Sequence, residues 1–199
     1  MKTSRLAPVL LAPALAFCLA APGQVAPPPK VGAAAPDFTL PAAAGGAPVA
    51  LKGLLGTSKA VVVIFDATRC PYAKGYKERV GAMAKEYAPK GVAFVTINSN
   101  KTEPAAEVAE DAAKNGFSFP VLKDEGNRVA DLYGAAKTPE VYVLDPKGTL
   151  LYRGRIDETH DDPKNVKSPD LRNALDAILS GKPVPAAETK AFGCSIKRV

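Results

Sequence analysis

The stretch that decides the fold reads AVVVIFDATRCPY and spans residues 60–72. Its first half, residues 60–65, is a continuous apolar and largely β-branched run, which predicts a strand buried on both faces of a sheet. From Tyr72 onward, apolar residues recur at spacings of three and four, which predicts a helix with one buried face. Cys70 therefore lies where a buried strand gives way to a helix, and Pro71 is a favoured first helical residue.

Outward from this stretch, strands and helices alternate along the chain. Residues 92–97 (VAFVTI) predict a second buried strand, and a helix over residues 102–113 follows it. Residues 141–144 and 150–152, joined by a DPKG turn, predict an antiparallel hairpin, and residues 168–179 predict a final helix. This order predicts an α/β fold with a central mixed β-sheet flanked by helices on both faces.

Composition and charge exclude several classes of protein. The chain has 199 residues, 47% hydrophobic and 23% charged, which fits one globular domain with a short appendage. The net charge of +6 is spread along the chain, so we expect no dedicated nucleic-acid binding. We also expect no membrane span after processing, since no apolar run is long enough. One His and three Cys without metal-finger spacing lead us to expect no metal and no cofactor.

The N-terminal residues have the pattern of a targeting segment. Residues 1–20 combine the basic residues Lys2 and Arg5 with an apolar stretch and small residues at its end, which is typical of a secretory signal peptide. We therefore expect an exported protein, periplasmic or extracellular. Cys18 offers the alternative of a lipid-anchored N-terminus, which the bulky Phe17 before it disfavours.

The remaining chain divides into three parts. We expect residues 21–35, rich in Pro and Ala, to form an extended tether. Residues 36–182 hold the alternating strands and helices of the domain. Residues 183–199 form a C-terminal tail that carries Cys194 and is too weakly patterned to be an element of its own. In an oxidising compartment Cys70 and Cys194 can form a disulfide that persists.

Cys70 has the position of a reactive thiol. A thiol attacks as the thiolate, and an unperturbed cysteine has a pKa of ~8.5. Unpaired N–H groups and the macrodipole at a helix N-terminus favour the anion. Arg69 and Lys74 add positive potential if their side chains turn inward. The alternative is that Cys70 is a small buried apolar residue.

Two motifs around Cys70 resemble a known superfamily. Residues 65–73 (FDATRCPYA) resemble the active-site loop of exported thioredoxin-like proteins. Thr138-Pro139, before the strand at 141–144, resembles the Thr/cis-Pro pair that lies against the reactive cysteine of that superfamily. The resemblance implies that residues 36–182 form a thioredoxin-like (redoxin) domain.

Further motifs narrow the resemblance. Residues 35–40 (APDFTL) resemble the opening of the alkyl hydroperoxide reductase and thiol-specific antioxidant group. CPY at 70–72, YRGRID at 152–157 and GCSIK at 193–197 resemble a peroxiredoxin-like family of exported bacterial proteins. The match extends over roughly residues 31–198, and it implies a thiol-dependent redox enzyme.

The chain departs from both relatives in its reactive loop. Ala73 stands where thioredoxins carry their second cysteine, so a disulfide within the loop is impossible. Peroxiredoxins have Pro-x-x-x-Thr-x-x-Cys, and the Pro and Thr positions are Val63 and Ala67 here. Thr68 is one residue closer to Cys70 and could supply the missing hydroxyl.

Two other positions differ from the family pattern. The buried acid of thioredoxins aligns with Ile64, so that proton relay is missing. Lys137 precedes Thr138 where members of the narrower family often carry a cysteine. Lys137 either stabilises a thiolate on Cys70 or is a solvated loop lysine.

Three roles are open for Cys194. It can resolve a sulfenic acid or a mixed disulfide formed at Cys70. It can form a permanent disulfide with Cys70 that stabilises the fold. It can also stay free or bond another chain.

Three functional hypotheses follow. In the first, Cys70 of an exported oxidoreductase attacks a disulfide or oxidised thiol, Cys194 resolves the product, and Thr138 and Pro139 present the partner's backbone. In the second, a peroxiredoxin-like antioxidant reduces hydroperoxides through a Cys70 sulfenic acid. In the third, the chain is a non-catalytic binding module with a structural disulfide. The expected partners are protein or small-molecule thiols and disulfides or hydroperoxides, with an external thiol reductant.

Overall fold

The structure is a computed structural model that describes residues 25–199. The expected signal peptide at residues 1–20 and the alternative lipid site at Cys18 lie outside the described residues.

The described chain forms nine strands and five α-helices. The strands are β1 (Thr39–Leu40), β2 (Val49–Ala50), β3 (Ala60–Asp66), β4 (Val92–Asn98), β5 (Val121–Lys123), β6 (Lys137–Thr138), β7 (Glu140–Leu144), β8 (Leu150–Gly154) and β9 (Cys194–Ser195). The helices are α1 (Leu51–Leu55), α2 (Pro71–Tyr87), α3 (Ala105–Lys114), α4 (Arg128–Tyr133) and α5 (Asp170–Leu179). Within residues 25–199, no helix combines the length and the apolarity needed to cross a membrane.

A five-stranded mixed sheet forms the centre of the fold, in the order β5-β4-β3-β7-β8. β3 runs parallel to β4 and antiparallel to β7, and β4 runs parallel to β5. Residues 60–65 of β3 are at most 1% exposed, as a strand covered on both faces requires. Val61 and Val63 face a core that includes α1 and α4, whereas Val62 and Ile64 face α2 and α5. The predicted mixed sheet with helices on both faces is confirmed.

Two predicted helices begin later than their local sequence suggested. The helix expected from Thr102 starts at Ala105, with Pro104 in the N-cap position. The last helix starts at Asp170, and the Ser168 hydroxyl donates to the Asp170 carboxylate instead of capping backbone N–H groups.

The C-terminal tail does form an element, so our expectation of none was wrong. β9 pairs antiparallel with β6, which places Cys194 opposite Thr138 and Ser195 opposite Lys137. Ile196, next along the chain, is 6% exposed and belongs to the core that contains α1 and α4. Backbone pairing with a distant strand and burial of one side chain hold this segment, and neither leaves a local sequence pattern.

The described part of the Pro/Ala-rich stretch lies against the domain. The Gly32 N–H donates to the Leu150 carbonyl (2.8 Å), and the Ala35 N–H donates to the Gly148 carbonyl (2.9 Å). Ala34 also pairs with Thr149 in an isolated antiparallel bridge. Backbone hydrogen bonds therefore fasten this stretch beside β8.

Candidate active site

Cys70 occupies the N-cap of α2, and Pro71 is the first helical residue, as the sequence predicts. The backbone N–H of Ala73 donates to the Cys70 sulfur at 3.5 Å. The first turn of α2 contains no acidic residue that would oppose a negative charge. The unpaired N–H groups of the helix start therefore favour the thiolate form of Cys70.

Thr138 and Pro139 lie against this cysteine. Their peptide bond is cis, in agreement with the resemblance to the Thr/cis-Pro pair. The Cys70 thiol donates to the Thr138 carbonyl, with 3.2 Å between sulfur and oxygen. Thr138 is 1% exposed, so the Cys70 sulfur contacts a buried residue.

The tail brings the second cysteine to the first. Cys194 packs on the small buried cluster of Ala67, Cys70 and Ala73. The thiol and the backbone N–H of Cys194 lie close enough to Cys70 to lower its pKa. Both cysteines are free thiols in this structure. The two cysteines are therefore neighbours in space, although 123 residues separate them along the chain.

The environment separates the pKa values of the two thiols. Burial raises the pKa of Cys70, but the Cys194 thiol, the Ala73 N–H and the side chain of Thr138 outweigh burial and hold the pKa below its ordinary value. Burial first, then the hydrogen bond to Cys70 and its negative charge, raise the pKa of Cys194 to about 11. Cys70 is therefore the thiol that ionises first, and Cys194 stays protonated beside it.

Arg69 does not turn toward Cys70, so the expected inward charge is absent. Its guanidinium binds the carboxylate of Glu107 on α3, with Nε 2.7 Å from Oε1. This hydrogen bond, with a smaller contribution from the charge of Lys74, lowers the pKa of Glu107. The Arg69 charge is thus paired with an acid on a neighbouring helix.

Lys137 acts on the other cysteine. Its ammonium group donates to the Ser195 hydroxyl at 3.2 Å across the β6–β9 pair. Its charge is one of the influences that lower the pKa of Cys194, although burial of that thiol has the larger and opposite effect. The groups that chiefly set the pKa of Cys70 are Cys194, Ala73 and Thr138.

Glu103 is a site residue that the sequence reasoning missed. Its carboxylate accepts hydrogen bonds from the backbone N–H groups of Thr68 and Arg69, both at 3.0 Å, and from the Asn98 amide at 2.6 Å. Glu103 is only 2% exposed. It therefore fixes the loop before Cys70, and Thr68 is positioned through its backbone. No local pattern identifies this role, because the partners come from the ends of β3 and β4.

Asp66 is a second residue that the sequence reasoning missed. It lies two positions beyond Ile64, where thioredoxins carry their buried acid, and its side chain is 17% exposed. The Lys77 ammonium is 3.8 Å away and 4% exposed, and it also binds Asp111. Burial raises the pKa of Asp66 to about 6, although Lys77 opposes the shift. Asp66 and Lys77 line a small cavity that reaches Pro139 behind the cysteine loop.

Other polar residues near the site have structural partners. Arg153 pairs with Glu188 (3.1 Å) and Arg155 with Asp170 (2.6 Å), so both are ion-pair residues. The ring of His160 packs on Tyr72 with 4.2 Å between ring centroids. In the described part of the chain, no group of three His, Cys, Asp or Glu side chains is arranged to hold a metal ion.

This geometry defines a class of protein. A mixed sheet between helices, a cysteine at a helix N-terminus and a cis-proline loop against that cysteine make this a thioredoxin-like fold with a redoxin site. The sequence profile of the AhpC/TSA family matches residues 31–153, more than half of the chain. The chain belongs to the AhpC/TSA family.

Particular relatives agree with this placement. A crystal structure of a hypothetical protein from Sinorhizobium meliloti is 36% identical, with a TM-score of 0.79 over 85% of this chain and 95% of that one. The thiol-disulfide oxidoreductase ResA of Oceanobacillus iheyensis is 32% identical over 61% of this chain and 62% of its own. Chloroplastic peroxiredoxin Q of Oryza sativa subsp. japonica is 32% identical over 61% of this chain and 57% of its own.

The curated relatives extend beyond the matched region. The matches to three ResA proteins span 52%, 62% and 66% of their lengths. These relatives carry names from two chemistries, disulfide exchange and peroxide reduction.

Proposed function

We propose that this protein is a thiol-disulfide oxidoreductase in which Cys70 attacks and Cys194 resolves. The observation that carries the proposal is the proximity of the two cysteines: β9 pairs Cys194 with Thr138 and packs it on the cluster that contains Cys70. ResA, the named thiol-disulfide oxidoreductase among the relatives, supports the same chemistry. The Cys70 pKa below its ordinary value and the Cys194 pKa of about 11 support the order of attack.

The proposed reaction exchanges two electrons between dithiol and disulfide. The Cys70 thiolate attacks one sulfur of a disulfide R–S–S–R, forms a mixed disulfide and releases R–S⁻, which takes a proton. Cys194 then loses its proton to solvent, attacks the Cys70 sulfur and releases the second R–S⁻. The protein becomes oxidised to the Cys70–Cys194 disulfide, and the substrate becomes two thiols. An external thiol reductant restores the dithiol.

The neighbours of Cys70 have defined roles in this proposal. The Ala73 N–H and the N–H of Cys194 stabilise the thiolate, both as nucleophile and as leaving group when the disulfide is reduced. Thr138, followed by the cis-proline Pro139, lies against the Cys70 sulfur. Glu103 is a positioning residue that fixes the backbone before Cys70.

Hydroperoxide reduction is the second candidate. The AhpC/TSA match and the peroxiredoxin Q relatives favour it, as does the 4% exposure of Cys70, which only a small oxidant reaches easily. Against it, the loop positions that hold Pro and Thr in peroxiredoxins are Val63 and Ala67. The groups that stabilise charge on the leaving oxygen are therefore missing from the loop.

Thiol release from the reduced full-length protein tests the proposal. The test proteins carry Cys18→Ser, so that Cys70 and Cys194 are their remaining cysteines. With glutathione disulfide, this protein releases two equivalents of glutathione. Addition of Cys194→Ser reduces the release to one equivalent and leaves glutathione on Cys70. Addition of Cys70→Ser strongly slows release, since burial still raises the pKa of the remaining Cys194 thiol.

A parallel arm with hydrogen peroxide separates the alternatives. Fast formation of a Cys70 sulfenic acid in the Cys194→Ser protein, with slow release from glutathione disulfide, supports the peroxidase. No reaction of Cys70 with either oxidant contradicts both enzymatic proposals and favours a binding module.

We also propose that the protein is exported. The support is the pattern of residues 1–20, a basic start followed by an apolar stretch and small residues. N-terminal sequencing of the protein recovered from the periplasm or medium tests this proposal. A start near Ala21 agrees with it, and an intact Met1 inside the cell contradicts it.

A further inference from the structure

The tail strand covers the edge of the chain that lies beside the reactive sulfur. β6 and β9 form their own two-stranded sheet, with Thr138 opposite Cys194 and Lys137 opposite Ser195. The Ile196 N–H extends the pairing by donating to the Ala136 carbonyl at 3.2 Å. The backbone groups of residues 136–138 on this edge are therefore engaged by the tail.

A polypeptide substrate would need the same place. To form a disulfide with Cys70, an incoming sulfur must come within ~2.05 Å of the Cys70 sulfur. A cysteine within a polypeptide brings its backbone with it, and an extended segment beside a strand edge pairs with that edge. Cys194 already reaches the Cys70 site in this way, since its backbone pairs with Thr138 while its side chain packs on the cluster that contains Cys70. The tail thus holds the position of a bound peptide.

No space separates the tail from β6 at this point. Gly193 has φ of +133°, and a Cβ on it would lie 2.1 Å from the Thr138 carbonyl oxygen and 3.4 Å from the Tyr72 Cβ. The tail backbone is therefore packed directly on the strand. A second polypeptide segment cannot enter unless the tail leaves.

The tail is anchored on both sides of Cys194. Before it, the Thr189 N–H donates to the Arg153 carbonyl (3.0 Å), and the Arg153 N–H donates to the Ala187 carbonyl (2.9 Å). After it, the Lys197 N–H donates to the Asn100 side chain (2.7 Å). The last two residues add the Arg198 ion pair with Asp131 (2.7 Å) and the Val199 N–H bond to Asn127 (2.9 Å). Displacement of the tail therefore breaks several hydrogen bonds at once.

We infer that the tail strand restricts Cys70 to low-molecular-weight disulfides and excludes protein disulfides. The inference rests on the proposed function and names its substrate class. A small disulfide needs only rotation of the Cys194 side chain away from the Cys70 sulfur, which leaves the β6–β9 pairing in place. A protein disulfide needs the whole strand to leave. The tail is thus both the resolving segment and the element that selects substrates by size.

A comparison of two substrates tests the inference. The reduced full-length protein is mixed in separate reactions with glutathione disulfide and with insulin. The rate of each reaction is divided by the rate at which a free small thiol reacts with the same substrate, which gives a normalised rate. The normalised rate for insulin is expected to be lower by about a hundredfold, because tail opening is a minor state. A normalised insulin rate equal to that for glutathione disulfide overturns the inference and leaves the proposed function intact.

A shortened tail provides the matched variant. A protein that ends at Lys197 lacks the anchors of Arg198 and Val199 but keeps both cysteines. Its insulin rate is expected to rise about tenfold, since the loss of a few hydrogen bonds shifts an opening equilibrium by that order. The rate with glutathione disulfide stays within about twofold, since local chemistry is unchanged. Arg198→Lys, which keeps the cation and the length, is the control and behaves like the unmodified protein.

The outcomes distinguish failure of the inference about substrate size from failure of the proposed function. An unchanged insulin rate in a shortened protein that is folded by circular dichroism overturns the inference. If the shortened protein does not fold, the substrate ratio of the unmodified protein still decides. Failure of both substrates to react through Cys70 contradicts the proposed function itself.

Discussion

The ionisation of a single sulfur depends on contacts that can be assigned one by one. Cys70 is 4% exposed, and burial alone would raise its pKa. The Cys194 thiol is the largest of the influences that lower it, ahead of the Ala73 N–H and Thr138. Cys194 thus lowers the pKa of Cys70 in the reduced protein. In the proposed reaction, Cys194 later attacks the mixed disulfide formed at Cys70. Neither Arg69 nor Lys137 has the role beside Cys70 that charge alone suggested, because Arg69 binds Glu107 and Lys137 binds Ser195.

Substitution of Cys194 should therefore shift the titration of Cys70. We expect Cys194→Ala to raise the pKa of Cys70, since it removes the thiol that lowers this pKa most. Ultraviolet absorbance of the thiolate as a function of pH, in a Cys18→Ser background, measures the midpoint. Cys194→Ser keeps a hydroxyl donor and should give an intermediate midpoint. An unchanged or lower midpoint in Cys194→Ala would contradict this assignment.

Glu103 should be important for stability although it touches no sulfur. Glu103→Ala leaves the buried N–H groups of Thr68 and Arg69 unpaired, which should lower the free energy of unfolding by about 2–3 kcal/mol. Glu103→Gln keeps an acceptor and should lose less. Denaturant unfolding measures both. Glu107→Gln breaks only the surface ion pair with Arg69 and should cost at most about 1 kcal/mol. Equal losses for Glu103→Ala and Glu107→Gln would refute the positioning role.

At the scale of elements, local pattern and distant pairing have different consequences for prediction. β3 and the start of α2 were predictable, because consecutive residues show an apolar run and then apolar side chains at helical spacing. β9 was not, because its partner lies far away: Thr138 and Cys194 are 56 residues apart. Likewise, α3 begins at Ala105 after Pro104, while Glu103 binds the backbone of the cysteine loop, a contact that the local sequence does not encode.

The close approach of β9 to β6 should control the resolving step. Gly193→Ala places a Cβ where the Thr138 carbonyl oxygen lies 2.1 Å away, so the strand must shift and carry Cys194 with it. We expect formation of the Cys70–Cys194 disulfide to slow by about tenfold to a hundredfold, as small misplacements of reacting groups do. Rapid quenching and mass spectrometry after addition of glutathione disulfide follow the step. Gly181→Ala, also at positive φ but with open space around its Cβ, is the control. Equal rates in the two variants would show that β9 does not set the geometry.

At the scale of the whole molecule, the predicted sheet and its two helical layers are confirmed, because buried strands and one-sided helices leave only a few possible arrangements. The juxtaposition of Cys70, Pro71, Thr138 and Pro139 in the candidate site was predictable, because the sequence carries motifs there. The buried ionisable groups were not predictable, since Asp66 and Lys77 meet only when α2 packs on β3. Their burial imposes a cost on the fold as a whole.

The stability of the protein should depend on pH through Asp66. Its pKa is raised from 3.8 to about 6 by burial, so the stabilising contribution of the protonated form is complete below about pH 4 and is lost as the pH rises through 6. Asp66→Asn removes the ionised form. It should raise the free energy of unfolding at pH 8 by on the order of 2 kcal/mol and change it little at pH 3.5. Denaturant unfolding at both pH values measures this. A gain that is larger at low pH would contradict the sign.

The redox pair itself is tested most directly by mapping the disulfide. The reduced full-length protein is oxidised with glutathione disulfide, digested without reductant and analysed by mass spectrometry. The account predicts one dominant cross-link that joins the peptide with Cys70 to the peptide with Cys194 and disappears on reduction. Cys70 left as a stable glutathione adduct, joined to Cys18 or joined to a second chain, with Cys194 still a thiol, would contradict it.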